Sequence, residues 1–163
     1  MKSLILGVTL TLFSTFQVMA CSCECTGDCS FSAISSNSEI VALVKVISYD
    51  DYLEGGKRPY SMTVEIIKKY KGTESRKTIK IWGDNGTECR PYISNFKLGE
   101  FYLVAPNQLG EYKLEGENST DYDFFSCNTD YMKVDMDKQK AFGVFTKTRT
   151  EIGLKEFEEK VKK

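Results

Sequence analysis

The chain has 163 residues, 22 Lys and Arg against 23 Asp and Glu, a net charge of −1, six cysteines and no histidine. Interspersed, balanced charge offers no basic stripe for nucleic acid. Without histidine, no Ser-His-Asp triad, Cys-His pair or His-ligated zinc site can be assembled.

Lys2, the apolar run Leu4 to Phe16 and the small-residue end Val18-Met19-Ala20 read as a secretory leader over 1–20. Cleavage after Ala20 would leave Cys21 as the new amino terminus. The apolar segment is too short and too rich in Thr and Ser for a good membrane span, and no later stretch approaches the ~20 apolar residues that spanning needs. Residues 21–163 are the size of one domain. All six cysteines follow the leader, and an even count in an exported chain favours disulfides over free thiols or metal ligands. A Cys-Ser-Cys start is unusual, because a terminus is normally the loosest part of a chain.

Cys25-Thr-Gly-Asp-Cys29 reads as a tight turn, and Ser30 to Ser38 as one or two helical turns. A strand follows at Glu39 to Tyr49, apolar on both faces at its start (Ile40, Val41, Ala42, Leu43, Val44). Asp50 to Pro59, with Gly55-Gly56, is a loop. Asp50-Asp51 reads as a solvated turn. Tyr60 to Lys71 alternates cleanly, Tyr60, Met62, Val64, Ile66 and Tyr70 against Ser61, Thr63, Glu65, Lys69 and Lys71. Thr78 to Trp82 is a third strand, broken by Gly83-Asp84-Asn85-Gly86. A long connection through Cys89 leads to a fourth strand at Phe101 to Ala105 and a fifth at Glu111 to Leu114. After Cys127 the pattern weakens. Leu154, Phe157 and Val161 recur at helical spacing, which predicts a closing helix over Thr150 to Lys162 with Thr150 near its N-cap. Glu156, Glu158 and Glu159 lie on its exposed side. No pair of acids stands in a catalytic context, so the chain does not read as an enzyme and no cofactor is expected.

Five short strands with a break after the third, short flanking helices and a C-terminal helix predict an all-β fold, a five-stranded OB-like Greek-key barrel stapled by disulfides. A β-sandwich satisfies the same periodicities, since they do not give strand order. Asn85-Gly86-Thr87 and Asn118-Ser119-Thr120 are glycosylation sequons, relevant only in a eukaryotic host.

Cys21-Ser22-Cys23 at a mature terminus, Val41-Ala-Leu-Val-Lys-Val46 and Val64-Glu-Ile-Ile-Lys-Lys-Tyr-Lys-Gly72 resemble the inhibitory domain of the tissue inhibitors of metalloproteinases. More broadly they resemble the netrin-like domains. Cys89, Leu98-Gly99-Glu100-Phe-Tyr-Leu-Val-Ala105 and Cys127 continue the pattern, so the resemblance covers 21–127. It implies an OB barrel with Cys21–Cys89 and Cys23–Cys127 bridges, leaving Cys25 and Cys29 to pair locally. Sequence alone leaves fifteen connectivities open. It also implies a mechanism in which the Cys21 α-amine and carbonyl chelate the zinc of a partner metalloendopeptidase. Such an amine titrates near pH 8, so part of it is neutral at physiological pH. Ser22 would enter the specificity pocket, and Thr87 and Glu88 would flank the wedge. The chain would bind no metal of its own.

The chain departs from the animal inhibitors in its compact Cys25 to Cys29 turn, its lack of their second cysteine-rich domain and its tail after Cys127. Two other readings stay open, beside a redox or metal role for the Cys-rich start that would need reduced thiols in an oxidising compartment. One is a secreted netrin-like interaction module without inhibition, with Tyr49, Tyr52, Trp82 or Tyr92 as contacts. The other is a bacterial lipoprotein acylated at Cys21, periplasmic or lipid-anchored. Acylation would block the amine that inhibition needs and would give the chain its only membrane contact.

Overall fold

The computed structural model describes residues 25, 27–111 and 113–161. The expected leader, Cys21, Ser22 and Cys23 lie outside the described residues. In chain order, helix α1 (Phe31–Asn37) precedes strand β1 (Val41–Tyr49), a small hairpin of β2 (Tyr52–Leu53) and β3 (Arg58–Pro59), then β4 (Ser61–Lys71) and β5 (Thr78–Trp82). After a 3-10 turn at Ile93–Asn95 come β6 (Phe101–Val104), β7 (Asn107–Gln108), β8 (Tyr122–Asp123), β9 (Tyr131–Asp135), β10 (Lys140–Thr146), β11 (Arg149–Gly153) and helix α2 (Leu154–Val161). No helix among the described residues is long and apolar enough to cross a membrane.

The main sheet has nine strands in the order β11-β10-β9-β6-β1-β4-β5-β8-β7. The chain is mostly β, with a C-terminal helix as the sequence predicts. Its ladder is an open mixed sheet rather than a closed five-stranded barrel. All pairings are antiparallel except β5 with β8. β1 lies at the centre, and its double-sided apolar start is used on both faces. Ile40, Ala42, Val44 and Val46 join a first core with Met62, Val64, Ile79, Ile81 and Phe124. Val41 and Leu43 join a second with Phe31, Leu103, Met132, Val134, Phe145 and Phe157.

Three register shifts bend the β1–β4 pair. Ile47 is skipped on β1, and Ile67 and Tyr70 on β4. An extra residue in one strand kinks it and increases its twist. The sheet therefore curls until Tyr102 of β6 and Tyr122 of β8, from opposite sides of β1, reach the same first core. The skip at Ile67 also reverses the alternation beyond it. Tyr70, expected on the Met62 face, packs instead in the second core, edge-on to Phe157 at 5.2 Å.

Two expected elements are corrected. In place of the strand expected over Glu111 to Leu114, the described residues Glu111, Lys113 and Leu114 lie in the turn-rich link from β7 to β8. The Leu114 N–H donates to Glu117 Oε2 (2.8 Å) and the Glu117 N–H to the Leu114 carbonyl (3.1 Å), so a turn takes the groups a ladder would need. Thr150 caps no helix. It lies in β11, where Ile152 pairs with Ala141 and Glu151 with Phe142. The helix starts at Leu154 and buries Leu154 and Phe157. The weak pattern after Cys127 covers β9, β10 and β11, which extend the sheet past β6. Asp50 and Asp51 are more than a solvated turn. Asp50 accepts from Ser48 and Thr63, and Asp51 from Ser61 and Lys80, tying β1 to β4 and β5.

Gly72 closes β4 with φ +99°, and a methyl group there would collide with the Glu39 carbonyl oxygen at the entry to β1. Gly72→Ala is expected to destabilise the fold by about 2 kcal/mol or more, measured by urea unfolding. A change under about 0.5 kcal/mol would contradict this packing.

Candidate functional site

One end of the curled sheet gathers three irregular segments: 83–92 after β5, 109–121 before β8, and 124–130 between β8 and β9. In the first, Asp84 Oδ1 accepts the N–H groups of Gly86 (2.9 Å) and Glu88 (3.0 Å), while Asn85 Oδ1 accepts the Thr87 N–H (2.9 Å) and hydroxyl (2.8 Å). Asx turns of this kind let a short polar side chain replace a strand partner. Gly86, at φ +106°, makes the tight bend possible. The result is a ridge on which Thr87 is exposed and Glu88 half-buried.

Cys89 follows the ridge, and its carbonyl accepts the Ser126 N–H at 2.8 Å. Cys89 and Cys127 are both disulfide-bonded. The expected partners, Cys21 and Cys23, lie outside the described residues. Cys25 and Cys29 form a disulfide with Cα atoms 6.1 Å apart. The Cys29 carbonyl accepts the Thr129 N–H at 2.9 Å, which ties that turn to the 124–130 segment. Thr87, Glu88, Cys89, Cys127 and the Cys25–Cys29 turn thus meet at one end. The positions of Cys21 and Ser22 relative to them lie outside the described residues.

Beneath the ridge is a buried charge cluster that sequence reading missed. Arg90, 9% exposed, bonds Glu117, 5% exposed, and donates from Nε to Asp123 Oδ2 at 2.9 Å. Tyr60 donates to Glu117 Oε1 at 3.3 Å, and burial together with that carboxylate pushes the Tyr60 hydroxyl up to about 12. Burial also raises Asp123, against the pull of Arg90. Arg90 itself, despite burial, is held above its ordinary value by Glu117 and Asp123. Nearby, Trp82 Nε1 donates to Asp121 Oδ2 at 2.8 Å, and the Asn118 N–H donates to the same oxygen at 3.1 Å. The three segments are therefore pinned by side chains rather than by ladder bonds. Each of these residues looks like an ordinary loop charge in the sequence, so only the tertiary fold reveals it.

A cleft of about 640 Å³ opens between the 84–92 wall and a second wall of 126–129, β9 and β10. Asp84, Glu88, Tyr92, Tyr131, Lys133 and Phe142 line it. Among the described residues, no three Cys, Asp or Glu side chains converge as a metal site. No protein-family model and no curated protein matches the chain.

Asp130 closes the 124–130 segment. It is fully buried, its Oδ2 accepts the Phe125 N–H at 2.6 Å, and burial pushes its carboxyl from 3.8 up to about 6. A folded value above the unfolded one means the protonated form is favoured. The stability it contributes is full below about pH 4 and is lost as pH rises through about 6. Asp130→Asn removes that loss, so its stability relative to the natural chain should rise with pH between about 4 and 7, by on the order of 3 kcal/mol. Thermal melts across this range check it, and a difference independent of pH would contradict it.

Proposed function

We propose that the chain is a secreted, disulfide-stapled protein resembling the tissue inhibitors of metalloproteinases, and that it inhibits a zinc endopeptidase rather than catalysing a reaction. Its amino-terminal wedge is Cys21 with Ser22. The Cys21 amine and carbonyl take the open position on the protease zinc, and Ser22 enters the adjoining pocket. The observation that carries this reading is the meeting of two disulfide-bonded cysteines, Cys89 and Cys127, beside the Thr87–Glu88 ridge. Bridges from there to Cys21 and Cys23 would fix the wedge before association and lower its entropy cost. An OB-type strand order, carried in an open and curled sheet, is the fold that goes with this reading. The β1–β4–β5 meander, the return of β6 to β1 and the parallel β5–β8 pair support it.

A second reading, an interaction module without inhibition, is favoured by the exposed aromatics Tyr92 and Phe125, both 44% exposed, on this same end.

Only a free α-amine can chelate. One added Ala before Cys21 moves it and turns the Cys21 nitrogen into an amide. Inhibition of a responsive zinc endopeptidase should then weaken by about 100-fold, the scale of losing a central contact, with folding unchanged. Ser22→Gly should weaken it less. Equal inhibition by extended and native forms would contradict the wedge. No inhibition by either form, across a panel with a serine protease as control, would favour the interaction module.

A further inference from the structure

After Phe124 the chain leaves the sheet, and no residue from Phe125 to Thr129 is buried. Single hydrogen bonds hold this stretch in place of a ladder. The Phe125 N–H donates to Asp130 Oδ2 (2.6 Å), the Ser126 N–H to the Cys89 carbonyl (2.8 Å), the Asn128 N–H to the Phe125 carbonyl (2.9 Å) and the Thr129 N–H to the Cys29 carbonyl (2.9 Å). Segments with so few buried apolar contacts lie at the low end of local stability. Asp130 is the buried anchor at the far end, its own carbonyl accepting the Ala105 N–H at 2.8 Å.

That anchor is a carboxyl placed where a charge is poorly met. Asp130 is 0% exposed, and its Oδ1 has no hydrogen-bond partner among the described residues. An ionised carboxylate buried with an oxygen unpaired loses the hydration that water would supply. The charge acting on it is Asp123 of β8, which repels it and is itself bound by Arg90. The ridge adds Glu88 beside that Arg90, and β6 and β9 add the phenols Tyr102 and Tyr131. The 25–29 turn adds Asp28, held below its ordinary value by hydrogen bonds from Ser30. Helix α1, the 105–107 link and 124–129 add no titratable group, Cys127 being disulfide-bonded. The Asn128 side chain eases the charge only slightly.

We propose that Asp130 is a proton-operated latch on this end of the molecule. With its carboxyl protonated, the 124–130 segment stays closed on the Cys25–Cys29 turn. Ionisation releases the segment by a local opening that hydrates the carboxylate while the sheet stays folded. Burial pushes the closed carboxyl up to about 6, and in the open segment it returns towards 3.8. Opening therefore becomes easier as pH rises between those two values, by on the order of 100-fold in all, and levels off above about 6. The Thr129 N–H then leaves the Cys29 carbonyl and Cys127 gains freedom, so the disulfide-stapled end is firm in acid and looser near neutral pH. The latch does not depend on the Cys21 wedge, whose failure would leave it intact.

The test is amide hydrogen exchange on protein produced through its own leader with disulfides intact, between about pH 4 and 7, corrected for the intrinsic rate at each pH. Protection of the Phe125, Ser126, Asn128 and Thr129 amides should fall on the order of 100-fold across that range. It should not respond to low urea, as befits a local opening, and the Val64 and Ile81 amides of the core should stay better protected at every pH. Asp130→Asn, which keeps an oxygen for the Phe125 N–H, should make the protection of the four amides independent of pH. Exchange of the four only together with Val64 and Ile81, a local opening equal at both ends of the range, or a pH dependence that survives Asp130→Asn overturns the latch. Should Asp130→Asn fail to fold, the Asp130 carboxyl carbon of the natural chain, followed by NMR, decides. It should titrate at about 6, and a midpoint near the ordinary 3.8 overturns the latch.

Discussion

A strand that is apolar on both faces cannot be left with one face in water, and β1 is such a strand. From Ile40 to Val46 its side chains alternate between two cores, each residue but Lys45 at most 4% exposed. Burying a large aliphatic side chain contributes about 1.5–3 kcal/mol, so leaving either face uncovered would forfeit several such terms. One face is covered by the sheet itself, curled through the register shifts at Ile47, Ile67 and Tyr70. The other is covered by α1, α2 and the packed side of β9 to β11. Phe157 is the centre of that covering, with its ring 5.7 Å from Phe31 and 5.2 Å from Tyr70.

The curl decides what happens at the ends. Because β8 lies parallel to β5, the links that leave the two strands emerge side by side without ladder partners, and Glu117 of the link that enters β8 joins them through Arg90. Their polar backbone would be costly to bury unsatisfied. Asp84, Asn85, Glu117 and Asp121 accept those N–H groups, and Arg90 offsets part of the charge this concentrates. A buried ion cluster is weak evidence for stability, because desolvation consumes much of its attraction. Here its visible effect is to set the shape of the ridge.

The sequence is readable where one periodicity governs a whole element. The double-sided start of β1, the alternation from Met62 to Ile66 and the 154–157–161 spacing of α2 all survive folding. It is unreadable where a tertiary partner overrides a local pattern. Glu111 to Leu114 alternates like a strand, yet the Glu117 carboxylate draws its backbone into a turn. Thr150 resembles a cap, yet β10 claims 149–153 as a strand. Tyr70 has the right parity for the first core, but a skipped residue sends it to the second. At the candidate site, Thr87, Glu88, Cys89 and Cys127 could be named from a resemblance. Arg90, Glu117 and Asp130 could not, because a lone loop charge shows no sign of its burial. The run from Glu115 to Asp130, with five acids and no base, was visible and is the one signal of the acidic end.

If β1 joins both cores, the curled half and the β9–β11 half form one cooperative unit. Native-state hydrogen exchange against denaturant tests this directly. The slowest amides of β4 and β5, which flank the first core, should exchange with the same free energy and denaturant slope as the slowest of β9 and β10, which flank the second. Exchange of the β9 and β10 amides through an opening about 2 kcal/mol or more below the global value would contradict it. The extension would then be an appendage that folds on a finished sheet, and β1 would not be the strand on which both halves depend.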